Sequence, residues 1–260
     1  MLKRLLAHPL TRGLDIDAPG TTLLRRRIIR GKPFLKRIYL EWYASLASAL
    51  PPGRSGPVLE LGSGGGFLQD VLPGVLASEM FYLPGIRLVL DGLAIPFRSA
   101  SLRGILMTNV FHHIPRPEIF LREASRCLQP GGVLAMIEPW VTPWSRQVYQ
   151  KLHHEPFQPE MPGWEFPSTG PVSGANGALP WIVLQRDRLR FEELFPDLAI
   201  QSISPCMPLV YLLSGGVSLR SLAPGWSYSM WRSLEKMLHP RIHQLAMFAC
   251  IILCKRPRSW

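Results

Sequence analysis

Short apolar runs punctuated by glycine and proline recur through the middle of the chain. Val58, Leu59 and Leu61 surround Glu60 and predict a short buried strand at residues 58–61. Similar runs predict strands at 75–77, 87–90, 105–108 and 133–137, the third ending beside Asp91 and the fifth beside Glu138. Between them the apolar period lengthens. Residues 67–72 predict a short helix stopped by Pro73-Gly74, and residues 118–128, with Pro117 at the first turn, place Ile119, Phe120, Ala124 and Leu128 on one face. Strands alternating with helices argue for an α/β fold with a parallel sheet covered on both faces. In such sheets ligands lie beyond the carboxyl ends of the strands, which here hold Glu60, Glu79, Asp91, Asn109 and Glu138.

The flanks carry further elements. Residues 33–50 predict a helix, with Phe34, Leu35, Ile38, Trp42, Leu46 and Leu50 at helical spacing and Pro51-Pro52-Gly53 as its stop. It serves either to cover the core or as a lid. Residues 188–195 predict another helix, 198–204 a sixth strand and 244–255 a last strand with Cys250 and Cys254 on one face. From Pro139 to Trp181 seven aromatic residues are interleaved with eight prolines, a pattern that excludes a long regular element and suits the wall of a substrate pocket. Residues 209–238 form a second apolar insertion, suited to a pocket, a dimer surface or a membrane contact.

The stretch Glu60-Leu61-Gly62-Ser63-Gly64-Gly65-Gly66 follows the first strand directly. Glycines there permit a sharp turn and close approach of a ligand to the backbone. A helix starting near Phe67 would add its positive end. By itself such a turn accommodates phosphate, dinucleotide or sulfonium ligands. An acid two positions before the first glycine disfavours a pyrophosphate and suits an ammonium group.

Composition changes the picture mainly through charge. The chain of 260 residues has 47% hydrophobic and 18% charged residues, as a folded protein does. Its net charge of +11 is unevenly spread. Residues 1–56 hold eleven Lys/Arg against three Asp/Glu, whereas residues 57–140 hold six against seven. The basic leader is either a solvated face or a field for an anionic partner: a phosphorylated or lipid-linked substrate, an anionic membrane surface, or RNA. The four cysteines lack the paired spacing of zinc sites or disulfide scaffolds. No apolar run approaches the roughly 20 residues that span a bilayer, and residues 1–10 do not read as a signal peptide. A cytoplasmic location, or one peripheral to the inner face of the membrane, is expected.

Four motifs occur in order: Glu60-x-Gly62-x-Gly64-x-Gly66; Asp91-Gly92-Leu93-Ala94-Ile95-Pro96-Phe97; Asn109-Val110-Phe111-His112-His113-Ile114; and Leu128-Gln129-Pro130-Gly131-Gly132-Val133-Leu134. Together they resemble the class I S-adenosylmethionine-dependent methyltransferases, particularly the type-11 group, over about a third of the chain. The resemblance implies a Rossmann-like sheet, mostly parallel with its last strand antiparallel, with helices on both faces. It implies an organisation of a basic helical extension over 1–56 and a methyltransferase domain over 57–260, with insertions at about 140–185 and 207–240. It also implies S-adenosyl-L-methionine as cofactor, held by Glu60, Gly62, Ser63, Gly64, Gly66, Glu79, Asp91, Gly92, Leu93 and Asn109. Asp91 would accept from the adenine amino group and Asn109 would line the methionine end. Glu79 is the only acid available for the ribose, and eleven residues between it and Asp91 leave too little chain for the usual helix, so residues 81–85 are expected to form a loop. Arg103 stands where relatives often carry an acid.

The resemblance points to methyl transfer onto an O or N nucleophile of a small-molecule, glycan or lipid-linked acceptor, and the basic charge of residues 1–56 to an anionic one. His112, His113, His153 and His154 are candidates for handling the acceptor or its proton, because imidazole titrates near neutrality. No metal ligands are expected, since His153 and His154 are adjacent and no H-x-x-x-H spacing occurs. Two other readings stay open. One is a binding module that keeps the cofactor fold without catalysis. The other is an RNA methyltransferase, against which stand the lack of a recognised RNA-binding module and of an Asn-Pro-Pro-aromatic signature at strand four.

Overall fold

The computed structural model describes residue 8 and residues 17–153, 155–168, 170 and 174–257. Strands β1 (Val58–Leu61), β2 (Leu76–Glu79), β3 (Leu88–Val89), β4 (Leu102–Thr108), β5 (Leu128–Pro139), β6 (Leu198–Cys206) and β7 (Phe248–Lys255) form one seven-stranded sheet. Their order is β3-β2-β1-β4-β5-β7-β6, and β7 alone runs against its neighbours. This is the mostly parallel sheet with an antiparallel last strand that the sequence motifs imply. β1 is buried along its whole length between β2 and β4, which is why its apolar residues occupy both faces, with Glu60 its one polar position. The strand order reverses between β1 and β4, so their following loops diverge and open a crevice at the carboxyl ends.

Several elements differ from expectation. After the glycine turn there is a single 3-10 turn, Leu68–Asp70, in place of a six-residue helix, and no helix dipole is aimed at the turn. The loop joining β2 to β3 lacks a helix, as the short spacing requires. The aromatic and proline-rich stretch begins with a regular ten-residue helix. Pro143 sits at its first turn, where a missing N–H costs nothing, and Thr142 and Ser145 cap each other's backbone N–H groups at 3.0 and 2.8 Å. Proline there starts a helix rather than preventing one.

The N-terminal region holds two helices, not one. In chain order the helices that matter are α1 (Pro19–Gly31), α2 (Pro33–Ser48), α3 (Pro117–Cys127), α4 (Pro143–Leu152), α5 (Arg188–Leu194), α6 (Val210–Ser214) and α7 (Tyr228–Met237). α2 buries Phe34, Leu35, Ile38, Tyr39, Trp42, Tyr43 and Leu46, with Trp42 packed 5.0 Å from Phe248 of β7. α1 escapes sequence reading because Arg25-Arg26-Arg27 interrupts its apolar stripe. The break between them is Lys32, forced into an extended conformation by the proline that follows. Its buried ammonium donates to the carbonyls of Gly216 and Leu219 at 2.6 and 2.8 Å, and burial pushes its pKa down to about 8. Arg232 of α7 pairs with Glu41 of α2 at 2.8 Å. The basic N-terminal helices and the second insertion are therefore packed together. Trp226, Met230 and Met237 remain exposed on and beside α7. No helix among the described residues is long and apolar enough to cross a membrane.

Candidate functional site

A cavity of about 540 Å³ opens at the carboxyl ends of β1, β2, β4 and β5. One end is the glycine turn. Gly62 and Gly64 have φ of +63° and +51°, conformations that penalise any side chain. A Cβ on Gly62 would also stand 2.7 Å from Val110. Gly66 has ordinary φ and is required for space, since a Cβ there would strike the hydroxyl of Tyr43. That hydroxyl accepts the Phe67 N–H at 3.0 Å. Arg26 of α1 donates to the carbonyls of Pro84 and Gly64. Both N-terminal helices thus clamp the turn, a role that motif reading missed.

The acids divide the turn between them. Glu60 is buried and its Oε2 accepts from the Ser63 hydroxyl at 2.9 Å. Burial, opposed by that hydrogen bond and reinforced by the negative charge of Glu79, pushes its pKa up to about 7. Glu79 accepts the Gly64 N–H at 2.5 Å through Oε1 and the Met80 N–H at 3.1 Å through Oε2, and burial raises its pKa. Asp91 is exposed at the rim, with Oδ1 accepting the Leu93 N–H at 2.8 Å. Asn109 adopts φ of +56° at the end of β4, a conformation asparagine tolerates better than most residues. All the predicted cofactor residues line this one cavity: Glu60, Gly62, Ser63, Gly64, Gly66, Glu79, Asp91, Gly92, Leu93 and Asn109.

The opposite end is built around His112 and His113, on the 3-10 turn Phe111–His113 that follows β4. Glu138, at the end of β5, organises that turn. Its Oε1 accepts the N–H groups of Val110 and Phe111 at 2.8 and 2.7 Å, and its Oε2 lies 2.6 Å from His112 Nδ1. Glu155, beyond α4, brings its carboxylate within 3.5 Å of His112 Nε2 and 3.8 Å of His113 Nε2. Burial opposes a charge on His112, but the Glu138 and Glu155 carboxylates outweigh it and push the ring up to about 10. Burial and the neighbouring charge of His112 push His113 down to about 4.

His153 also lines the cavity, with Nδ1 3.7 Å from Glu155. His154 lies outside the described residues. Tyr39, Tyr43, Tyr149, Phe157, Tyr211 and Phe248 supply aromatic walls from α2, the two insertions and β7. Glu138 and Glu155 are cavity-end carboxylates outside the predicted cofactor set. Glu138 was visible as a strand-end acid, and Glu155 as part of the polar run 151–155, but its meeting with His112 and His113 comes from the path of the chain after α4. The expectation that no metal ligands exist meets a cluster of the required chemistry in His112, His113 and Glu155.

Residues 84–136 match a family model described as a methyltransferase domain, type 11. No curated protein matches the chain. Among solved structures, the geranyl diphosphate C-methyltransferase of Streptomyces coelicolor A3(2), in complex with Mg2+, geranyl-S-thiolodiphosphate and S-adenosyl-L-homocysteine, is similar with a TM-score of 0.50 at 16% identity, over 85% of this chain and 77% of that one. A S-adenosylmethionine-dependent methyltransferase from Mesorhizobium loti gives 0.48 at 13% identity, over 82% and 96%.

Proposed function

We propose that this chain, with its class I methyltransferase fold and type-11 methyltransferase segment, transfers a methyl group from S-adenosyl-L-methionine to an O or N nucleophile. The observation that carries the reading is the single cavity of about 540 Å³ with the glycine turn and three acids at one end and a histidine-carboxylate cluster at the other. The glycine cradle fits the cofactor: Gly62 and Gly64 hold positive φ that disfavours side chains, and a Cβ on Gly62 would also strike Val110. Bound there, the cofactor would supply an electrophilic methyl on a sulfonium.

The chain's own residues would act as follows. Asp91, oriented by Leu93 N–H, accepts from the adenine amino group beside Gly92. Glu79 retains a second lone pair on each oxygen for the ribose hydroxyls. Glu60, held by Ser63, offers negative charge to the ammonium through the turn. Asn109 borders the methionine end. His112, His113 and His153 face the acceptor. In-line placement of nucleophile and methyl is the larger part of such catalysis, and the aromatic walls restrict that placement. Arg25, at the cavity rim on a basic helix, favours an anionic acceptor, whether small molecule, glycan or lipid-linked.

Titration calorimetry with S-adenosylmethionine and S-adenosylhomocysteine tests the reading. Asp91→Ala is expected to weaken binding by about 10- to 100-fold, equivalent to ~1.4–2.7 kcal/mol, and His153→Ala by less than about threefold. No binding by the wild type, or equal losses in the two variants, would remove the assignment. Transfer of a labelled methyl group into extract fractions of lipid, glycan, RNA and small molecules then identifies the acceptor.

A further inference from the structure

His112 and His113 are neighbours in sequence, yet their ring centroids are only 4.3 Å apart. Both rings are anchored in the same way. His112 Nδ1 lies 2.6 Å from the Glu138 carboxylate, and His113 Nδ1 lies 3.1 Å from the carbonyl of Gly174. A carbonyl oxygen only accepts, so His113 Nδ1 carries the hydrogen and the Nε2 of the neutral ring presents a lone pair. The Nε2 atoms of both rings face one carboxylate, 3.5 Å from Glu155 Oε2 and 3.8 Å from Glu155 Oε1 respectively. These gaps exceed the usual hydrogen-bond length of about 2.9 Å.

Anchoring Nδ1 to a carboxylate or a backbone carbonyl, with Nε2 turned inward, is the outer-shell arrangement that orients metal-binding histidines. The three inward atoms lie within 4.8 Å of one another. An ion with bonds of about 2.0–2.2 Å draws ligand atoms to roughly 3.0–3.5 Å apart, a contraction within the reach of side-chain adjustment. All three residues also line the cavity, so coordination positions on that side would open toward the acceptor.

We propose that His112 Nε2, His113 Nε2 and the Glu155 carboxylate form a binding site for a divalent first-row transition ion, with Glu138 and the Gly174 carbonyl as orienting partners. Two imidazoles and one carboxylate suit zinc, iron, cobalt or nickel, and disfavour magnesium or calcium, which take oxygen ligands. The ion would hold an oxygen atom of the acceptor in an open coordination position. That use rests on the methyl-transfer reading; the presence of the ion does not.

The test uses the full chain, stripped with chelator and then equilibrated separately with Zn2+ and Co2+. Metal content is measured by mass spectrometry, and Co2+ is followed by its visible absorption. Expected are one ion per chain and a ligand-field band, both lost in His113→Ala and in Glu155→Gln while far-ultraviolet circular dichroism is unchanged. Glu138→Gln, a change to a positioning residue, is expected to weaken affinity by about 10- to 100-fold without abolishing it. Absence of saturable uptake by the wild type overturns the site, as does wild-type uptake by both ligand variants. Cofactor titration on the same samples separates the two proposals. Cofactor binding without metal uptake removes the metal site alone, and metal uptake without cofactor binding supports the site while removing the cofactor reading.

Discussion

The two ends of the cavity are constructed in opposite ways. At the glycine turn, each acid stands at the end of its own strand and bonds to backbone or side chain nearby: Glu60 to Ser63, Asp91 to Leu93, and Glu79 to Gly64 across one strand pair. At the histidine end, Glu138 reaches over 26 residues to His112, and Glu155 comes from a third segment. The first end is a set of local turns on a rigid sheet. The second is a buried network whose members are useless singly, because each desolvated polar group depends on a partner from elsewhere. Damage to the first should therefore appear as lost binding, and loss of the Glu138 carboxylate at the second as lost stability.

The largest effect expected from that contrast is at Glu138. Glu138→Ala leaves one buried and one part-buried N–H group and a buried imidazole without their acceptor, and should cost about 3–5 kcal/mol of stability, read from the urea midpoint. If the variant is as stable as Asp91→Ala, the contrast between a structural and a binding end fails.

An intermediate effect concerns pH. The Glu60 pKa of about 7 lies above its ordinary value of 4.5, so folding takes up a proton between those limits. Stability contributed by this group is therefore present below about pH 4.5 and declines as pH rises through 7. A cationic ligand acts in the opposite direction, because it favours the ionised carboxylate. Affinity for S-adenosylmethionine should rise between pH 6 and pH 8, by up to about tenfold per unit below neutrality. Calorimetry across that range checks this, and Glu60→Gln should flatten the profile. An unchanged profile in that variant would assign the dependence to another group.

The smallest effect probes how far the N-terminal helices support the turn. Tyr43→Phe removes the acceptor of the Phe67 N–H and should cost about 1 kcal/mol, visible as a melting temperature lowered by ~2–4 °C. A larger loss of cofactor binding than of stability would make α2 part of the site rather than only its support.

Much of the fold could be read from local pattern. The strands around Glu60, Asp91, Asn109 and Glu138 announce themselves because buried parallel strands are short apolar runs with punctuation at both ends. α2 shows the helical period of its buried face, whereas α1 hides it among arginines, one of which, Arg26, holds Gly64 and Pro84. The ten-residue helix after Thr142 was obscured by proline count, since position within the first turn matters more than number.

What sequence alone determined is the glycine-turn end of the cavity: residues within a few positions of a strand terminus are placed by that strand, so order and spacing suffice. What only tertiary structure decided is the meeting of His112, His113, Glu138 and Glu155, and the clamping of the glycine turn by Tyr43 and Arg26. Those contacts join segments far apart in the chain. No periodicity records them, because their geometry comes from how whole elements pack and from the need of each buried polar group for a partner.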